Sequence, residues 1–176
     1  MKKAGSLEKG SILENELKKE IDNAARLHGH LGPFLVIGVR MGKLARRILK
    51  HSENDNIKFQ VTIKVPQSIP FTCTIDGIQS TTHCTVGNQR LEIEKSDKEI
   101  LGDFEVANSN QKLRIHVKPE IIEDLMAQLT KGIGNEEVAA QVAVMQEEKL
   151  FTIERIRTCF FDNRRMELED DGLGSG

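Results

Sequence analysis

Two short segments hold most of the side chains able to do chemistry. The first, Leu27-His28-Gly29-His30-Leu31-Gly32-Pro33-Phe34, sets two imidazoles one residue apart where one helix should end and another begin. A neutral imidazole serves as a metal ligand or a general base. Free N–H groups at the start of the second helix favour an anionic ligand and lower the pKa of a nearby imidazole. Gly29 and Gly32 leave the approach open. The second segment is Cys73-Thr74-Ile75-Asp76-Gly77-Ile78-Gln79-Ser80-Thr81-Thr82-His83-Cys84-Thr85. Read as one helix, it brings Cys73, Asp76/Gly77, Ser80 and His83/Cys84 onto one side at i, i+3/i+4 and i+7. Facing the corner histidines, that stripe of metal-ligating and polar residues would line a site. A structural reading stays open for both segments. His28 then completes an apolar helix face, His30 caps a turn, and the small residues serve tight packing around buried thiols.

Spacing restricts the metal chemistry. Eleven positions at ~1.5 Å per residue put the Cys73 and Cys84 backbones ~16 Å apart on an unbroken helix, too far for a disulfide or a shared zinc shell. One thiol can join the histidines, not both. His28 or His30 with one cysteine and a water is an open zinc site, since a closed structural one needs four protein ligands. No C-x-x-C pair, phosphate loop, dinucleotide-binding glycine fingerprint, G-x-S-x-G elbow or H-E-x-x-H helix occurs in the sequence, which removes the usual entry points to those chemistries. Cys159 follows a strand-like run and reads as a small buried hydrophobe, while His51 and His116 read as isolated surface residues.

The elements that must position these residues follow from periodicity. Ser11-Ile12-Leu13-Glu14 forms a capping box, and Leu13, Leu17, Ile21, Ala24 and His28 predict a helix from about Ile12 to His28, closed by Gly29. Pro33 suits the first turn of the next helix. Phe34, Ile37, Met41, Leu44, Ala45 and Ile48 form its buried face, with Arg40, Lys43, Arg46 and Arg47 on a solvated basic side. Gly38 and Gly42 would admit a close backbone. Residues Ile57 to Val65 alternate as a strand with one wet face, and most of Phe71 to Thr85 is predicted helical. Alternation returns at Leu91/Ile93, Phe104/Val106 and Leu113/Ile115/Val117, which suggests an antiparallel meander. A helix opens at Pro119 and stops at Lys131-Gly132. Another follows Asn135, and a last strand covers about Leu150 to Arg157. This irregular order favours an α+β fold, an antiparallel or mixed sheet packed against helices, over a doubly wound parallel sheet. One core domain over 11–158 is expected, with a flexible stretch at 1–10 and a charged, frayed tail at 162–176.

Composition excludes several partner classes. Lys+Arg 25 against Asp+Glu 27 gives a net charge of -2, with no cationic excess for nucleic acid, and Trp and Tyr are both absent, which removes the usual base-stacking platforms and membrane-interface anchors. No apolar run approaches the ~20 residues of a membrane span, and three cysteines without an export signal argue against a disulfide framework. A cytoplasmic setting with free or metal-bound thiols is expected.

The two segments resemble the motifs of the FmdE family, associated with formylmethanofuran dehydrogenase. That family's first motif reads approximately F-H-G-H-x-C-P-G-L, matched here by Leu27-His28-Gly29-His30-Leu31-Gly32-Pro33-Phe34-Leu35. Its second reads approximately C-x-x-D-A-I-Q-x-x-T-G-C-T-x-G-K-G-N, matched by Cys73 to Asn88. With the closing Leu150 to Ile153 strand, the similarity spans roughly His28 to Arg157. The resemblance implies a dimeric α+β core whose polar cleft joins the His-Gly-His corner to the Cys/Asp/Gln helix. It also implies association with a molybdenum or tungsten enzyme that interconverts carbon dioxide and formylmethanofuran, any such pterin cofactor lying in a partner subunit. His28, His30, Cys73, Asp76, Gln79 and Cys84 carry over. Gly32 stands where the family has a cysteine and His83 where it has a glycine. No cysteine-rich zinc finger follows in this sequence, so a metal is expected in the core.

On this combined reading the cleft binds a metal, zinc, or a small anionic ligand. His28, His30, Cys73, His83 and Cys84 are the metal candidates; Gln79, Ser80 and Gly32 face the ligand. Asp76 would orient an imidazole through its second nitrogen. In a catalytic version the nucleophile is a bound water or the Cys84 thiolate, and a histidine such as His30 carries the proton. The competing class is a non-catalytic accessory or cofactor-sensing protein, which loss of the corner cysteine favours.

Overall fold

The computed structural model describes residues 4–49, 58–107 and 109–157, with side chains from residue 14 onward. His51, Ile57, Cys159 and the tail from Asp162 lie outside the described residues.

The first helix, α1 (Ala4–His28), runs through the predicted Ser11 cap and starts earlier than expected. It ends where Gly29 takes φ +93° and donates its N–H to Ala25 O, the left-handed closure that glycine permits without a Cβ penalty. After two further residues and Gly32, α2 (Pro33–Leu49) begins at its proline. This helix is buried almost all round, which corrects the amphipathic reading: Arg40, expected on a solvated side, is buried. Its guanidinium donates to the carbonyls of Val142 (2.6 Å) and Met145, at the end of the later helix α5 (Asn135–Val144). Terminal helix carbonyls lack intrahelical donors, and a cation there also suits the dipole. Burial lowers the Arg40 pKa from its ordinary value.

The strand β1 (Phe59–Val65) leads through the Pro66 to Pro70 loop into α3 (Cys73–Thr82) and on to β2 (Leu91–Lys95). The strands β1 and β2 pair in parallel, so α3 is the crossover of a βαβ unit. Next come β3 (Leu101–Val106), β4 (Gln111–Val117), α4 (Pro119–Thr130), α5, the short α6 (Glu147–Leu150) and β5 (Phe151–Arg157). The sheet order is β2-β1-β3-β4-β5, with every pairing except β1/β2 antiparallel. The α+β mixed sheet is as expected, but the meander is not: β2 lies at the far edge and never pairs with β3. Strand alternation fixes which face is buried, not which neighbour pairs.

One sheet face carries Val61, Ile63, Phe104, Leu113, Ile115 and Val117, all fully buried beneath the helices. The opposite face carries Asp103 between Arg114 (2.8 and 2.9 Å) and Lys112 (3.3 Å). His116 shares this outer face but is half-buried, with a shielded Nε2 that has no partner among the described residues.

The contact that places the functional residues is the crossing of α2 over α3. A Cβ at Gly38 would overlap the Thr74 carbonyl, and one at Gly77 would strike Leu35 O and Val39 N. The two backbones therefore touch, with Gly42 against the Thr81 side chain. That contact sets the first turn of α3 beside the α1–α2 corner.

Candidate metal centre

His28 is the last residue of α1, and Gly29 turns the chain so that His30 returns beside it. The two rings lie 4.4 Å apart, tilted by 40°. Cys73 opens α3, nearly buried at 7% exposure, and Asp76 lies one turn further on the same side. One ligand atom each from His28, His30 and Cys73 lies within 4.8 Å of the other two. Tetrahedral zinc, with bonds of ~2.0–2.1 Å to nitrogen and ~2.3 Å to sulfur, has ligand–ligand edges of about 3.3–3.7 Å. The three donors thus surround a volume that contracts by roughly an ångström to a bonding shell.

The hydrogen bonds behind the donors are directional. His28 Nδ1 lies 2.7 Å from Asp76 Oδ2, and Gln79 Nε2 donates to Asp76 Oδ1 at 2.9 Å. A carboxylate only accepts, so Nδ1 carries the proton and the Nε2 lone pair faces the other donors. His28 Nε2 is buried and has no partner among the described residues. A shielded imidazole nitrogen without a partner is an unmet demand; beside a thiol and a second imidazole, a metal ion satisfies it. The residues present fit the group. Burial, and then the Asp76 charge, push the Cys73 thiol up from its ordinary value.

The remaining predicted residues separate. The helix ends before Cys84 because His83 adopts φ 57° at the C-cap, and the chain then turns inward. Cys84 is fully buried, its Sγ 3.2 Å from Phe59 O, and burial raises its thiol pKa. As a metal ligand or nucleophile Cys84 is therefore corrected: it lies outside the cluster, and its sulfur is turned to a backbone carbonyl of β1. His83 is exposed and outside the cluster too. The expected stripe is broken at its end, and Cys73 is the thiol that joins the histidines. Gly32 lies beside the site; a Cβ there would meet only His30, with Nε2 at 3.8 Å.

Gln79, Ser80 and His83 instead line a groove of about 450 Å³ with Asn23, Leu27 and Thr85. Sequence reasoning does not find Asn23, Leu27 and Thr85. Asn23 and Leu27 are spaced i, i+4 on α1, a signal masked because both sit on its wet side.

Comparison with known proteins places this geometry. The model of the family described as "FmdE, Molybdenum formylmethanofuran dehydrogenase operon" matches residues 27–162. The chain is similar to a probable S-adenosyl-L-methionine-binding protein of Archaeoglobus fulgidus, 32% identical over 78 residues. That match covers 44% of this chain and 21% of that protein, so the chain spans about a fifth of the curated relative's length. Its fold is similar to an FmdE-like protein of tungsten formylmethanofuran dehydrogenase from Syntrophus aciditrophicus, with TM-score 0.60 and 16% identity over 81% of this chain and 73% of that one. No helix among the described residues is long and apolar enough to cross a membrane.

Proposed function

The chain belongs to the FmdE family, and from that premise we propose that His28, His30 and Cys73 hold a metal ion, zinc, with a fourth position for water or a small anionic ligand. The observation that carries this reading is the pairing of three convergent donors with a buried, unpartnered His28 Nε2. Two imidazoles and one thiolate with an open position match the donor count of ligand-exchanging zinc sites rather than closed structural ones. When bound, zinc lowers the pKa of a coordinated water to about 7 and polarises a ligand oxygen.

The chain's own residues prepare the site. Asp76 holds the His28 proton on Nδ1, and Gln79 fixes the carboxylate that does so. Cys73 gives up its proton on metal binding, so affinity rises with pH. His30 lies at the exposed rim, able to pass a proton to solvent. A non-catalytic, cofactor-binding role for this same site is favoured by one observation: burial leaves both thiols less acidic than usual, so neither is an activated nucleophile.

The family's operon description supports association with a molybdenum or tungsten formylmethanofuran dehydrogenase-type complex, with any pterin cofactor in a partner subunit. A homodimer in the cytoplasm belongs to the same proposal, its oligomeric state tested by light scattering on the purified chain. The site is tested by elemental analysis after dialysis. The expected outcome is one zinc per wild-type chain, lost in His30→Ala and Cys73→Ala and kept in Cys84→Ala. Wild-type protein without stoichiometric metal contradicts the proposal, as does equal loss in a folded Cys84→Ala variant.

A further inference from the structure

The groove between α1 and α3 adjoins the metal centre without being part of it. Its walls are two primary amides (Asn23, Gln79), two hydroxyls (Ser80, Thr85), the His83 imidazole and exposed Leu27, around about 450 Å³. That volume lies in the range of small-ligand sites. No Lys, Arg, Asp or Glu lines it. An anion entering would meet no cation and a cation no carboxylate, and desolvating an unpaired charge is costly. Amides and hydroxyls offer donors and acceptors together, with Leu27 as an apolar wall.

His83 adds a second observation. It holds φ 57° at the end of α3, and its backbone N–H closes the helix on Gln79 O. Glycine closes a helix in that conformation without strain, and the backbone bond needs no imidazole. The ring is nonetheless there, exposed on the groove wall. Strained non-glycine residues concentrate at functional sites.

We infer that this groove binds a neutral, planar, hydrogen-bonding group, a carboxamide or an uncharged nitrogen heterocycle, with His83 as a contact residue. Gln79 Nε2 is engaged by Asp76, so its carbonyl oxygen remains as an acceptor. The chain of contacts Gln79–Asp76–His28 joins the groove to the metal ligands. The inference deepens the metal-site proposal, and rests on it only in setting the ligand's far end at the His28/His30/Cys73 cluster.

Nicotinamide, nicotinate and 3-(aminomethyl)pyridine form a set of matched neutral, anionic and cationic probes. Each is titrated into chelator-treated and zinc-loaded protein while ¹H–¹⁵N spectra follow the Asn23 and Gln79 side-chain amides and the His83 and Thr85 backbone amides. In chelator-treated protein, nicotinamide is expected to shift these signals saturably with Kd of roughly 1–10 mM, and both charged probes to bind at least tenfold more weakly. His83→Gly and His83→Asn should each weaken nicotinamide at least threefold, with His83→Gly raising Tm by ~2–4 °C as strain is relieved. The inference is overturned by absence of saturable shifts, by an equal response to nicotinate, by unchanged affinity in both variants, or by a lowered Tm in both, which would make His83 a structural cap. Groove signals are read independently of zinc content, so nicotinamide binding to a chain that retains no zinc refutes the metal reading alone.

Discussion

Gly32→Cys adds a thiol where the corner has only space. A Cβ at position 32 lies 3.8 Å from His30 Nε2, its nearest neighbour, and no left-handed backbone obstructs a side chain there. The sulfur, one bond further out, reaches the edge of the His28/His30/Cys73 volume and completes a four-ligand set. Structural zinc sites bind with about 10–16 kcal/mol over four ligands, or ~2.5–4 kcal/mol each. Ordering the new side chain and displacing a water from the fourth position reduce this gain to about 2–3 kcal/mol, equivalent to ~30- to 150-fold tighter binding. Competition against a chromophoric chelator under reducing conditions measures the ratio, with Gly32→Ala as the control for loss of glycine. Cobalt substitution reports the shell, because thiolate-to-metal absorption should grow from one sulfur to two. A Gly32→Cys protein that binds zinc no tighter than wild type, with an unchanged cobalt spectrum, refutes the placement of the donors around a common point.

Three further substitutions probe the surrounding structure. Asp76→Asn removes the acceptor that fixes His28 and should weaken zinc 10–100-fold; Gln79→Ala, one bond further back, should cost less than Asp76→Asn in the same titration. Gly77→Ala forces a Cβ into Leu35 O and Val39 N and should destabilise the fold by about 1–3 kcal/mol or more in urea unfolding, since the obstacles are backbone. Asp103→Asn should cost about 1–3 kcal/mol: burial raises the Asp103 pKa, but Arg114 and Lys112 outweigh it and hold the carboxyl below its ordinary value. The wild-type contribution is full above the unfolded carboxyl's value near 4 and declines as pH falls through the lower folded value, so acid titration of stability in wild type and variant should converge at low pH.

The corner and the first turn of α3 were legible in the sequence because each depends on a few adjacent residues: glycines at turns, imidazoles one apart, a thiol and a carboxylate one helical turn apart. The choice between thiols was not. It hinges on His83 entering the left-handed region and breaking the helix before Cys84, where propensity favours neither outcome. The mixed sheet was expected, but the parallel β1/β2 pair was not, because alternation does not encode neighbours. A basic residue at helical spacing, such as Arg40, reads as solvated unless the carbonyls of Val142 and Met145, a hundred residues away, are known to need a donor. The Gly38/Gly77 contact was half legible. The small residues announced a close approach, and the structure supplied the partner.

X-ray absorption at the zinc edge of the wild-type protein bears most directly on the ligand set. A first shell of one sulfur near ~2.3 Å with three nitrogen or oxygen neighbours near ~2.0–2.1 Å is expected, the sulfur vanishing in Cys73→Ala and persisting in Cys84→Ala. A shell of two sulfurs, a shell with none, or one whose sulfur survives removal of Cys73 contradicts the assignment.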